Sequence, residues 1–194
     1  MKTYTENPAN EILTYSAAVI ALCALICFAA YRLEESHLAI LAVFTPSLVA
    51  LVLTVRSKGR RGLYNLFVTQ TVRRTAFKWL LVSIAGIPLL ASLAVLSASG
   101  FDVSGFSLRT SSRMPQMPLI LLIALGEEYG WRGFLLPRLM KRYNLLQASM
   151  RLGLIWGLWH FPAYLIGTGV PLQMDFLVFL LWVVLGALFI SWIY

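Results

Sequence analysis

The sequence predicts an all-α, polytopic membrane protein with about six transmembrane helices, on three observations. Hydrophobic residues fill 59% of the 194 positions and charged residues only 12%, where soluble chains run near roughly 45–50% and 25%. The apolar residues gather into six runs of membrane-crossing length, approximately 12–31, 38–55, 79–98, 117–136, 146–166 and 175–194. The basic residues gather in alternate connections between those runs, as the topology of a multi-pass protein requires. A net charge of +8 would point to nucleic acid in a soluble domain. Here it serves membrane topology, and no nucleic-acid partner is expected. The whole chain, 1–194, reads as one transmembrane helical domain in the cell membrane, with the bilayer as its surroundings.

The first run follows a short polar stretch and has no small-residue cleavage site after it, so it reads as an anchor rather than a removed signal. Cys23 and Cys27 stand four apart within it. A single helix displaces them by a full turn, so they read as packing residues, not a bridge or a metal cluster. The connection after the second run carries Arg56, Lys58, Arg60, Arg61, Arg73, Arg74 and Lys78, and the one after the fourth carries Arg138, Lys141 and Arg142. The first, third and fifth connections together hold only Arg32, Arg109 and Arg113. The even connections and the N-terminus are therefore expected in the cytoplasm. Within the second connection, Leu63, Leu66, Phe67, Gln70, Arg74 and Phe77 recur at helical spacing, which predicts a short amphipathic helix on the inner leaflet. The Ser- and Gly-rich stretch 99–115 reads as an irregular outer loop, and Pro46, Pro88 and Pro162 as bends in their runs.

Chemistry concentrates in the fourth and fifth runs. The stretch Leu125-Gly126-Glu127-Glu128-Tyr129-Gly130-Trp131-Arg132-Gly133 sets two carboxylates and a guanidinium inside an apolar helix. Each unpaired charge there costs roughly 2.5–3.5 kcal/mol. Glu128 and Arg132 stand four apart and can neutralise each other on one helix face. Losing Arg132 is accordingly expected to lower stability by leaving Glu128 buried and alone. Glu127 is turned about 100° away and has no such partner in its own helix. In the fifth run Gly153, Trp156, Gly157, His160 and Tyr164 share one side. Small-residue pairs allow close helix approach. Packing the Gly126/Gly130/Gly133 face on the Gly153/Gly157 face is therefore expected to bring His160 towards Glu127. A carboxylate facing an imidazole within a membrane suits a general base acting on water, with the imidazole holding that water, holding a metal, or donating to an oxyanion. The same pair in a membrane also fits a proton relay in a carrier. His37 stands apart in the first outer connection and reads as a solvated residue.

These residues resemble a family. Glu127-Glu128-Tyr129-Gly130-Trp131-Arg132 is similar to the Glu-Glu-x-x-x-Arg motif of the CPBP family, which comprises CAAX prenyl endopeptidases and bacteriocin-processing proteins and is also called Abi. Trp156-Gly157-Leu158-Trp159-His160 is similar to its second motif, an aromatic residue four before a His, where Phe is more usual than Trp. The resemblance covers about residues 115–194. It implies an intramembrane endopeptidase in which Glu127 activates a water and His160 assists, while Glu128, Arg132 and Trp156 support the site. It also implies a peptide or protein substrate within the membrane, and leaves open a divalent metal such as zinc, with Glu127 and His160 as candidate ligands. The family pattern continues with a further His and an Asn or similar residue in a later helix. The chain carries neither, so it is expected to be incomplete at its C-terminal end and, as it stands, to lack part of the catalytic set. A non-catalytic peptide-binding or immunity protein of the same family is the alternative reading, and a proton-coupled transporter a more distant one.

Overall fold

The computed structural model describes residues 8–69, 117–169 and 174–193, with the isolated positions 89, 93, 96 and 100. Every element among the described residues is helical. The third expected span (79–98) and the outer loop (99–115) lie outside the described residues, those isolated positions aside.

The first helix, α1, runs Pro8–Arg32. Its buried residues Tyr15, Val19, Cys23, Cys27 and Ala30 recur every three or four positions and form one stripe. Its opposite face is also apolar, with Leu13, Leu25, Phe28 and Tyr31 exposed, an arrangement suited to lipid rather than to water. After a turn in which Glu34 takes φ 58, the chain enters a 3₁₀ helix, Ser36–Phe44, and passes directly into α2, Thr45–Tyr64. The second predicted run therefore differs from its expected form. Pro46 sits at the start of α2, where its missing N–H has no intrahelical partner to lose, and does not bend the middle of a span. Helical structure also continues beyond residue 55 through the basic residues, broken at Gly59 by φ 57 and ψ −153.

A π-helical stretch, Asn65–Thr69, follows α2. Leu66 is buried and lies against Gly133, while the Phe67 ring meets Tyr129 edge-on at 4.7 Å. The described start of the expected amphipathic helix is thus docked on the Glu-Glu-Arg segment. Its later positions, Gln70, Arg74 and Phe77, lie outside the described residues.

The fourth run is not one regular helix. α3, Met117–Glu128, gives way to a π-helix over Tyr129–Leu135, and the short α4, Leu136–Leu139, ends it. The Leu136 N–H reaches back five residues to the Trp131 carbonyl. The wider coil turns Trp131, Phe134 and Leu135 into the core, each at most 1% exposed. Tyr15 of α1 anchors them: its ring lies 4.9 Å from Phe134 and 5.8 Å from Trp131. Such π segments occur mostly as local insertions at functional sites.

Asn144 caps the next helix by accepting the Gln147 N–H at 2.9 Å. That helix, α5, spans Leu145–Leu165, with Pro162 in its last turn, and α6 spans Phe176–Ile193. α5 and α6 form the most extensive pairing among the described residues. Among the described residues two helical runs, Pro8–Arg32 and Ser36–Val68, are long and apolar enough to cross a membrane, and Phe176–Trp192 is a shorter apolar helix. At one end of the bundle Arg138 is paired with Glu11, tying the fourth connection to the start of α1.

The expected contact between the two glycine faces is not formed. A Cβ on Gly126 would meet Phe44, one on Gly130 would meet Pro46 and Tyr15, and one on Gly133 would meet Leu66. That face therefore packs on α1, α2 and their flanks. Gly153 and Gly157 face Val184 and Leu180 of α6 instead. Small residues favour close approach without choosing a partner, and in this fold each glycine face found a different neighbour.

Candidate functional site

Glu127 closes α3 at the point where the coil widens. Its Oε2 accepts the indole N–H of Trp156 at 2.8 Å, which supplies the partner its own helix lacks. One residue on, Glu128 Oε1 accepts from Arg132 Nη1 at 2.8 Å. The i, i+4 pair read from the sequence is present, although the intervening backbone is a π coil. Arg132 is 3% exposed, and its Nε and Nη2 meet no hydrogen-bond partner among the described residues. Its guanidinium lies 4.5 Å above the Trp156 ring, a stacked cation–π arrangement.

His160 stands one turn beyond Trp156 on α5. Its Nδ1 lies 2.9 Å from the Trp156 carbonyl. A carbonyl only accepts, so Nδ1 carries the hydrogen, and neutral His160 presents its lone pair at Nε2. The ring is held edge-on between Trp159 at 4.7 Å and Phe179 at 5.0 Å. Trp159 is fixed in turn: its indole N–H donates to Thr45 Oγ1 at 3.1 Å, and its carbonyl accepts from Cys23 Sγ at 3.2 Å. Cys23 and Cys27 are free, buried thiols, as packing residues should be.

Glu127 and His160 line one cavity of about 610 Å³. Its remaining polar lining includes Ser36, His37 and Thr168, and its walls are largely apolar, with Ile40 and Val43 among them. Ser36–His37 follow the end of α1 and Thr168–Gly169 follow the end of α5, so the cavity reaches the two loops at that end of the bundle. His37 keeps a side chain 74% exposed and pairs with Glu35 at 3.1 Å. It is a solvated residue, but one at the rim of this cavity. Neither that placement nor the bracing of Trp159 by Thr45 and Cys23 was legible beforehand. These contacts join residues more than a hundred positions apart, and no local spacing signals them.

The residues named from the sequence therefore gather in two layers. Glu127 and His160 line the cavity, while Trp156 bonds to Glu127, Arg132 stacks on Trp156 and Glu128 pairs with Arg132. Among the described residues no three of His, Cys, Asp and Glu converge in a metal-binding group. Glu127 and His160 offer two donors where a catalytic zinc site has three protein ligands. By themselves they do not fit zinc.

Comparison with known proteins bears on the same half of the chain. Residues 111–194 match the family described as Type II CAAX prenyl endopeptidase Rce1-like. The chain is also 37% identical over 95 residues to CAAX prenyl protease 2 of Methanococcus maripaludis. That alignment takes in 49% of this chain and 33% of the relative, so the chain matches about a third of the length of that relative. Both Glu-Glu-Arg and Trp-x-x-x-His segments fall inside the matched region.

Proposed function

We propose that this chain, whose residues 111–194 match the family described as Type II CAAX prenyl endopeptidase Rce1-like, is the peptidase site, or part of it, of an intramembrane endopeptidase. The observation that carries the reading is a carboxylate and an imidazole, 33 positions apart in sequence, lining one cavity within an apolar helical bundle. In the proposed reaction a water in the cavity gives one proton to Glu127, and its oxygen attacks the substrate carbonyl carbon. His160 Nε2 accepts a hydrogen bond from the same water and so orients it. Collapse of the tetrahedral intermediate breaks the C–N bond, and the proton held by Glu127 passes to the departing amine. Glu128 and Arg132 keep the π segment in place, which sets where the Glu127 carboxyl points.

In this reading the protein crosses the bilayer about six times. The N-terminus and the connection after α4 lie on one side, and the cavity mouth on the other. The Glu11–Arg138 pair supports that sidedness, because it joins the start of α1 to the fourth connection at one end. The basic residues of the even connections support a cytoplasmic position for that end.

The test is cleavage of an internally quenched, prenylated CAAX peptide by the full chain in proteoliposomes. Cleavage lost in Glu127→Ala, with the melting temperature in detergent held, is the expected result. Cleavage surviving in Glu127→Ala would refute Glu127 as the base. Binding of the peptide without cleavage by the unaltered chain would instead favour a non-catalytic binding role, and proton-driven uptake lost in Glu127→Gln would favour a carrier.

A further inference from the structure

Trp156 touches three members of the site at once. Its indole N–H donates to Glu127 Oε2 at 2.8 Å, its ring lies 4.5 Å beneath the Arg132 guanidinium, and its carbonyl accepts from His160 Nδ1 at 2.9 Å. Backbone geometry makes the last contact available to any residue at this position. The ring contact needs an aromatic side chain. The first needs an indole, because a phenyl ring has no donor to offer. The N–H points at a carboxylate and is therefore charge-assisted. It occupies Oε2 and leaves Oε1 to face other partners.

We propose that the Trp156 indole N–H is a positioning device for Glu127. It holds the carboxylate by one oxygen so that the other is presented to the cavity, and Arg132 stacked on its face keeps the indole plane from turning. The inference rests on the reading of Glu127 as the base and names the group that aims it. The same residue carries His160 through its carbonyl, so the base and the imidazole share one reference point on α5. A displacement of α5 relative to α3 then moves the imidazole and pulls on the carboxylate together.

Two measurements on the full chain test this, and only one of them needs activity. Ultraviolet resonance Raman spectra in detergent micelles report how strongly each indole N–H is hydrogen-bonded. Glu127→Gln, which retains Trp156, should weaken the most strongly bonded indole component, and Trp156→Phe should remove it. The Trp159 component, bonded to Thr45, serves as an internal reference. An unchanged indole band in Glu127→Gln overturns the proposal, even if Trp156→Phe folds poorly. In the peptide assay Trp156→Phe, which keeps a ring under Arg132, should lower kcat by roughly ten- to a hundredfold with KM within about twofold. Full kcat, or a raised KM at full kcat, overturns the positioning role. If the unaltered chain cleaves no peptide, the peptidase reading fails while the spectra still decide whether Trp156 holds Glu127.

Discussion

Removing either partner of the Glu128–Arg132 pair should destabilise the protein, and the structure sets which loss is larger. From the sequence, losing Arg132 is expected to lower stability because it strands a buried Glu128. In the fold, Arg132 is the buried partner, with 3% of its side chain exposed against 37% for Glu128. Its single hydrogen bond goes to Glu128, and its other two guanidinium nitrogens have none among the described residues. Glu128→Ala therefore leaves a buried cation with no hydrogen bond. Breaking a buried pair from one side costs roughly 3–5 kcal/mol. The low end, about 3 kcal/mol, is expected because the Trp156 face remains in place. Arg132→Met fills the space and leaves the less buried partner, a Glu128 carboxylate 37% exposed, unpaired, at about 2.5 kcal/mol, the low end for an unpaired charge in an apolar membrane segment. The double variant removes both charges and should fall well short of the sum, since replacing a whole buried pair by apolar groups is often close to neutral. Unfolding free energies in mixed micelles for the four proteins complete the cycle. A larger loss for Arg132→Met than for Glu128→Ala, or a strictly additive double variant, would refute the reasoning.

Two further changes follow from packing. Gly130→Ala should destabilise by about 3 kcal/mol, near the upper end for overpacking, because its Cβ would sit 2.4 Å from the Pro46 carbonyl carbon and 2.5 Å from Tyr15 Oη. Gly157→Ala should cost less, since the atom it meets at 2.3 Å is the movable Leu180 Cδ1. Melting temperatures in detergent give the order, and the reverse order would count against this packing. Thr45→Val should cost about 1–3 kcal/mol by leaving the buried Trp159 N–H without its acceptor. Unchanged stability there would mean that the indole finds another acceptor.

The amino-acid sequence by itself determined a good deal. Apolar runs of bilayer length predicted α1, α5 and α6 to within a few residues, because helix length in lipid is set by the thickness to be crossed. The Glu128–Arg132 pair followed from the i, i+4 rule, and the prominence of Glu127 and His160 from the cost of ionisable groups among apolar ones. Only the tertiary structure decided how these meet. Nothing local announces that the motif segment unwinds into a π coil, because that depends on Tyr15, Pro46 and Leu66 packing against it from other elements. The two glycine faces were readable as close-approach surfaces, but their partners were not. A glycine removes an obstacle and leaves the choice of neighbour to the whole bundle. The bond from Trp156 to Glu127 is of the same kind: each residue was visible in its own helix, and their meeting required the end of α3 to come within reach of Trp156 on α5.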